Sequence, residues 1–168
     1  DIFARLEFRT LLPRVFDALG ADAGAGAEEA RPTATAPTPA PLDADALAAW
    51  AGESTDTVGL TLVLAQGAPV QIGLARADSA AEATWSPAVR DALAGWLASD
   101  APKVMADAKP QVKALLREGL ALGGISSDVI LAGWLVRPSF PDKTLGDLVQ
   151  RYLDEKLPEA DPTQLVPE

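Results

Sequence analysis

An α/β domain is what the sequence predicts, and two observations predict it. Beyond residue 42, apolar β-branched runs come first, and short extended stretches then alternate with segments of helical periodicity. Capping and turn residues bound these segments at the places where that succession needs them. A length of 168 residues fits one hydrophobic core with an appendage rather than two full domains.

The elements follow in order. Leu11, Leu12, Val15, Phe16 and Leu19 recur at helical spacing, with Thr10 as cap and Pro13 in the first turn, so residues 1–19 contain a short amphipathic helix. A helix this short is marginal alone in water, and its apolar stripe must pack on something. Residues 20–42 are mostly Ala, Gly, Pro, Thr and Glu, with Pro32, Pro37, Pro39 and Pro41 spaced too closely for helix or sheet. They read as a disordered Ala/Pro-rich linker, which when flexible spans roughly 25 Å.

Asp43 and Asp45 precede Leu47 and Trp50 and predict a capped helix. Residues 57–65 are β-branched and apolar, as a buried strand is; Gly67 and Pro69 turn the chain into a second strand over 70–77. A shorter extended piece surrounds Thr84 and Trp85, giving two or three adjacent antiparallel strands. Pro87 opens a helix with Val89, Leu93, Trp96 and Leu97 on one face, ended by Ser99 and Asp100. After a short Val104, Met105 stretch, a second helix starts past Asp107, turns Val112, Leu115 and Leu116 inward and ends at Gly119. A third spans 127–136 with Ile130, Leu131 and Trp134 and is stopped by Pro138; a fourth follows Thr144 with Leu145, Leu148, Tyr152 and Leu153. The folded domain is thus expected over 43–157, with 158–168 as a tail.

Composition narrows the chemistry. Cys and His are both absent, which removes disulfides, zinc fingers, haem ligation by either residue, and every mechanism that needs a thiolate or an imidazole base. No apolar stretch approaches the roughly 20 residues of a membrane span, and no basic region precedes an apolar one at the start, so a soluble, cytoplasmic protein without a membrane partner is expected. The formal charge is −10, a sign that disfavours tight autonomous binding of nucleic acid. That charge is uneven: residues 1–102 carry six basic and 14 acidic side chains, the remainder eight and ten. Lys109, Lys113 and Arg117 recur at i, i+4, i+8 and form one basic stripe, available to a DNA backbone or an acidic protein surface and otherwise a solvated face. Trp50, Trp96 and Trp134 sit at apolar helical positions, where core packing is the ordinary role; Trp85 is the one that stands apart.

Four segments then carry a resemblance. The run 42–50, LDADALAAW, is similar to the short helix leading into the first strand of the 3′-5′ proofreading exonuclease domain of bacterial DNA polymerase I, in family A polymerases. KVMADAKPQVKALL, from Lys103, resembles the strand and helix of that family's second exonuclease motif. GISSD at 124–128 with Leu131 and Leu135, followed by Thr144, Leu145, Leu148, Tyr152 and Leu153, resembles the next two helices, and LEFRTLL at 6–12 the segment that follows the 5′ nuclease domain. The Ala, Arg, Pro and Asp bias without any Asn fits the actinobacterial form. The resemblance implies a ribonuclease-H-like fold with a mixed sheet flanked by helices. It also implies an excised fragment whose partners are the 5′ nuclease and polymerase parts of one parent chain, with DNA met through that parent.

The family's chemistry uses four carboxylates holding two divalent ions. Its first strand carries Asp-x-Glu, but no acidic residue lies between Asp56 and Asp78; the pair falls on Leu62 and Leu64 or on Val63 and Ala65. The second motif's Asp matches Gln111, and Tyr152, the only tyrosine, has Lys156 four residues on where the third motif requires Asp. The expectation is a vestigial, catalytically inactive domain that binds no metal and acts as a spacer or scaffold, Mg or Mn belonging only to the parent polymerase. Two alternatives stand beside it. One is a residual metal-dependent 3′-5′ exonuclease using Asp107 or Asp128, although Asp78, Asp107 and Asp128 read first as caps or solvated groups; the other is a docking module for protein or DNA.

Overall fold

The hairpin predicted at 57–77 forms the middle of a six-stranded sheet. The computed structural model describes residues 36–138 and 144–157. The helix expected within 1–19, the linker as far as residue 35 and the tail lie outside the described residues. The elements are β1 (Pro39–Pro41), α1 (Ala44–Gly52), β2 (Val58–Ala65), β3 (Ala68–Ala75), β4 (Ala80–Thr84), α2 (Pro87–Ala98), β5 (Lys103–Met105), α3 (Ala108–Arg117), β6 (Ile125–Asp128), α4 (Val129–Val136) and α5 (Leu145–Leu153).

The strand order is β1-β4-β3-β2-β5-β6. β2, β3 and β4 pair antiparallel, while β1 runs parallel to β4 and β2, β5 and β6 run parallel to one another. Gln66 and Gly67 both have positive φ, the conformation that a two-residue hairpin needs to match strand twist. Along β2, Val58, Leu60 and Leu62 are buried and meet Ile72, Leu74, Ala81 and Ala83 of the neighbouring strands with Leu47, Leu93, Leu97 and Leu115 of the helices. α1 packs on α2 and β4, and α3 on β2 and β3. The caps are those the sequence predicts: Asp43 Oδ1 accepts from Ala46 N at 2.9 Å, Ser86 Oγ from Val89 N at 3.3 Å, and Thr144 forms a capping box with Asp147.

Lys103 opens β5 fully buried. Its Nζ donates to the carbonyls of Ser99 (3.1 Å) and Ala101 (2.9 Å) and lies 4.5 Å from the centre of the Trp96 ring. Burial lowers its pKa from the usual 10.5, against the opposing pull of Asp100.

The structure corrects four expectations. Residues 39–41 are not linker: they form an edge strand, and Leu42 N donates to Glu82 O at 2.9 Å. Proline, which cannot donate, is tolerated there because an edge strand needs only part of its ladder. The inward face of α3 is Ala108, Gln111, Ala114 and Leu115, whereas Leu116 is 61% exposed. The helix expected over 127–136 splits into β6 and α4, because residues 125–128 pair with β5 before the chain turns. Finally, α4 buries no residue: Leu131, Leu135 and Val136 are exposed and Trp134 is partly so at 38%, leaving Trp134 outside the core assigned to it.

Candidate functional site at the fork of β2 and β5

Parallel strands β2 and β5 pair at only two places, Val58↔Lys103 and Gly59↔Val104. Beyond them the strands part, and the chain leaves β2 toward β3 on one side while the sheet continues through β5 on the other. In open α/β sheets a crevice at the carboxyl ends, where strand order reverses, is the usual ligand site. Residues 62–65 and Gln111, which the resemblance matches to the family's carboxylates, fall along this fork.

Gln111 fills it. The side chain projects from the first turns of α3, is 5% exposed, and its Oε1 accepts from Leu62 N at 2.7 Å. Its Nε2 donates to the carbonyls of Ala106 (2.7 Å) and Asp107 (3.2 Å). One amide thereby bridges β2 to the segment that follows β5, continuing by side chain a ladder that the backbones abandon. Leu62 is buried in the core, Val63 and Leu64 are half-buried, and Ala65 is exposed at the hairpin end.

A hard divalent ion needs anionic oxygens around it. Leu62, Val63, Leu64 and Ala65 offer none, the Gln111 oxygen already accepts a backbone N–H, and the described residues contain no group of three or more Asp or Glu able to hold a metal ion. The residues present at the fork do not fit the two-ion arrangement that the family resemblance implies.

Asp128 performs a different task. Its carboxylate caps α4 by accepting from Ile130 N (3.0 Å) and Leu131 N (3.3 Å), and it also accepts from Asp107 N (3.1 Å) and Ala108 N (2.8 Å) at the start of α3. Partial burial pushes its pKa up, but the backbone donors of Ala108, Leu131, Asp107 and Ile130 together outweigh this, and the net shift is downward. Asp107, expected to cap α3, does not: its backbone has positive φ and its side chain makes no cap bond, while its own N–H and that of Ala108 donate to Asp128. Asp78 is exposed and accepts from Ser79 Oγ.

Lys109, Lys113 and Arg117 are exposed along α3, and Arg117 Nη1 donates to Gly67 O on the β2–β3 turn at 3.3 Å. Trp50, Trp85 and Trp96 pack half-buried against the core. Arg76 lies 4.0 Å over the Trp50 ring, donates to the Trp50 carbonyl and pairs with Glu53 at 3.6 Å.

Residues 71–161, just over half of the chain, match the family described as DNA polymerase I, ribonuclease H-like domain. This chain belongs to that family. It is 38% identical over 172 residues to DNA polymerase I of Mycobacterium tuberculosis and 35% over 175 residues to that of Mycobacterium leprae, covering 97% of this chain in each case. It spans only 19% of the length of those relatives. Among solved structures, it superposes on the "POL domain of Pol1 from M. smegmatis complex with DNA primer-template and dNTP" with a TM-score of 0.63 and 31% identity, over 74% of this chain and 24% of that one. Escherichia coli RNase D shares the fold at a TM-score of 0.57 and 18% identity, over 73% of this chain and 35% of that one. The ribonuclease-H-like exonuclease fold and membership of DNA polymerase I, both expected from the resemblance, hold.

The sequence does not show how Gln111 and Asp128 are used. For Gln111 the only signal is a polar residue on the face of α3 that carries Ala108, Ala114 and Leu115, easily taken for a helix turned the other way. For Asp128 no signal reveals the second helix start, since the αL turn at Asp107 is not written in its residue type.

Proposed function

We infer that this is a catalytically inactive 3′-5′ exonuclease-like domain serving as a structural spacer in a cytoplasmic DNA polymerase I active in replication and repair. The observation that carries the reading is Gln111: the position where the family places a metal-binding Asp holds an amide whose bonds all go to backbone. Losing the carboxylates has a physical rationale, because replacing buried charges by packed apolar side chains is often neutral or stabilising by about 1–4 kcal/mol. The alternative of relocated catalysis by Asp107 and Asp128 finds no support in the geometry, since the Asp128 carboxylate is already engaged by four backbone N–H groups. Divalent ions belong, on this reading, to the polymerase part, and DNA is met chiefly through the parent chain, the mycobacterial relative being held with primer-template DNA. The domain's partners are the 5′ nuclease and polymerase parts of the same parent.

The test is a 3′ degradation assay on end-labelled single-stranded DNA with excess chain and manganese, with EDTA and Gln111→Asp run alongside. No laddering is expected from either protein. Manganese-dependent laddering by the unmodified chain overturns the reading and makes Asp107 and Asp128 the first residues to change.

A further inference from the structure

The outer face of α3 is basic in a chain that is otherwise acidic. Among 24 acidic and 14 basic residues overall, this ten-residue helix contains Lys109, Lys113 and Arg117 and no acid. All three are exposed. Three other described cations are neutralised or sequestered: Arg76 pairs with Glu53, Arg90 with Asp91, and Lys103 is buried. Among the described residues, the side chains of Lys109 and Lys113 have no ion pair or hydrogen bond, and Arg117 spends a single N–H on Gly67 O. Uncompensated charge of one sign, held on a rigid helix, is a binding feature rather than a folding one.

Its spacing selects a ligand. Residues four apart rise about 6 Å along a helix, so the stripe is about 12 Å long. That length covers about three to four phosphates of one strand of a duplex, at about 3.4 Å of axis per phosphate. Arg117, positioned on the hairpin turn, keeps most of its guanidinium donors for a phosphate oxygen pair. We propose that Lys109, Lys113 and Arg117 form a non-specific contact to the phosphate backbone of double-stranded DNA. The choice of DNA over an acidic peptide rests on the reading of the chain as part of a DNA polymerase.

The experiment is fluorescence anisotropy of a labelled duplex two helical turns long, titrated with the full 168-residue chain from low to physiological salt. EDTA in the buffer keeps any nuclease result, which bears on the fork, separate from a binding result. Because the chain is strongly acidic, the expected affinity at physiological salt is weak, on the order of 10⁻⁴ M. The logarithm of the affinity should fall with that of salt by about 0.9 for each engaged cation, and each stripe cation neutralised should reduce the slope by about 1. Reversal at K109E/K113E/R117E should abolish binding, and K109E/K113E, which keeps the Arg117 bond to the turn, should weaken it strongly. Both variants are to show unchanged melting. Leu116→Ser should leave binding as it is, since phosphate needs no apolar neighbour. Binding that survives the reversals, no binding at low salt, or stripe-dependent binding of poly-L-glutamate without binding of duplex would each overturn the proposal.

Discussion

Gln111 engages both of its N–H donors and its oxygen inside the fold, and this makes it expensive to remove. Truncation to Ala would leave Leu62 N and the carbonyls of Ala106 and Asp107 without their side-chain partner at a position that is 5% exposed. Each orphaned group costs about 1–3 kcal/mol, partly offset by water entering the space. Gln111→Ala is therefore expected to lower the unfolding free energy by about 2–4 kcal/mol, measured by urea denaturation with an unchanged slope. A loss below about 0.5 kcal/mol would mean that the amide is incidental. The non-acidic residues at 62–65 and 111 are legible in the sequence; what the Gln111 side chain does in the architecture is not. Residue type alone makes a buried Gln look like an error of phase.

At the scale of elements, Asp128 ends β6, caps α4 and receives the first N–H groups of α3. Its depressed pKa fixes the sign of its pH dependence. The stability it contributes is fully present above the ordinary carboxylate value of 3.8 and is lost as pH falls through the lower folded value. Asp128→Asn should cost about 1–2 kcal/mol at neutral pH, within the range of lost N-caps, and should flatten the decline in stability below pH 4; stability curves at several pH values check this. Most elements here were readable from caps and periodicity: Asp43, Ser86 and Thr144 announce α1, α2 and α5, and Gly67 the hairpin. The failures share a cause in tertiary structure. β1 exists because β4 offers an edge, β6 because β5 offers another, and neither edge can be seen in a local window. α4 misleads in a second way: its eight residues are all apolar or Gly, so helical phase says nothing about which side is covered.

For the whole molecule, the proposed scaffold reading implies an integrity that does not depend on metal. An ion that binds only the folded state raises stability in proportion to its occupancy. With the fork closed by an amide and no acidic cluster among the described residues, magnesium or manganese should not raise the melting temperature of this chain, nor should EDTA lower it. Differential scanning calorimetry with each ion decides the matter, and a concentration-dependent upward shift would reveal a site elsewhere. Overall composition, with neither His nor Cys and a strong negative charge, restricts the available chemistry before any fold is known, whereas the basic face of α3 emerges only once its exposure is seen. The double grip of Asp128 has a dynamic consequence. Because one carboxylate holds Asp107 and Ala108 at one helix start and Ile130 and Leu131 at the other, the two starts cannot loosen independently. Their four amides should exchange hydrogen with solvent as a single cooperative unit, at a common opening free energy, although 20 or more residues of chain separate them.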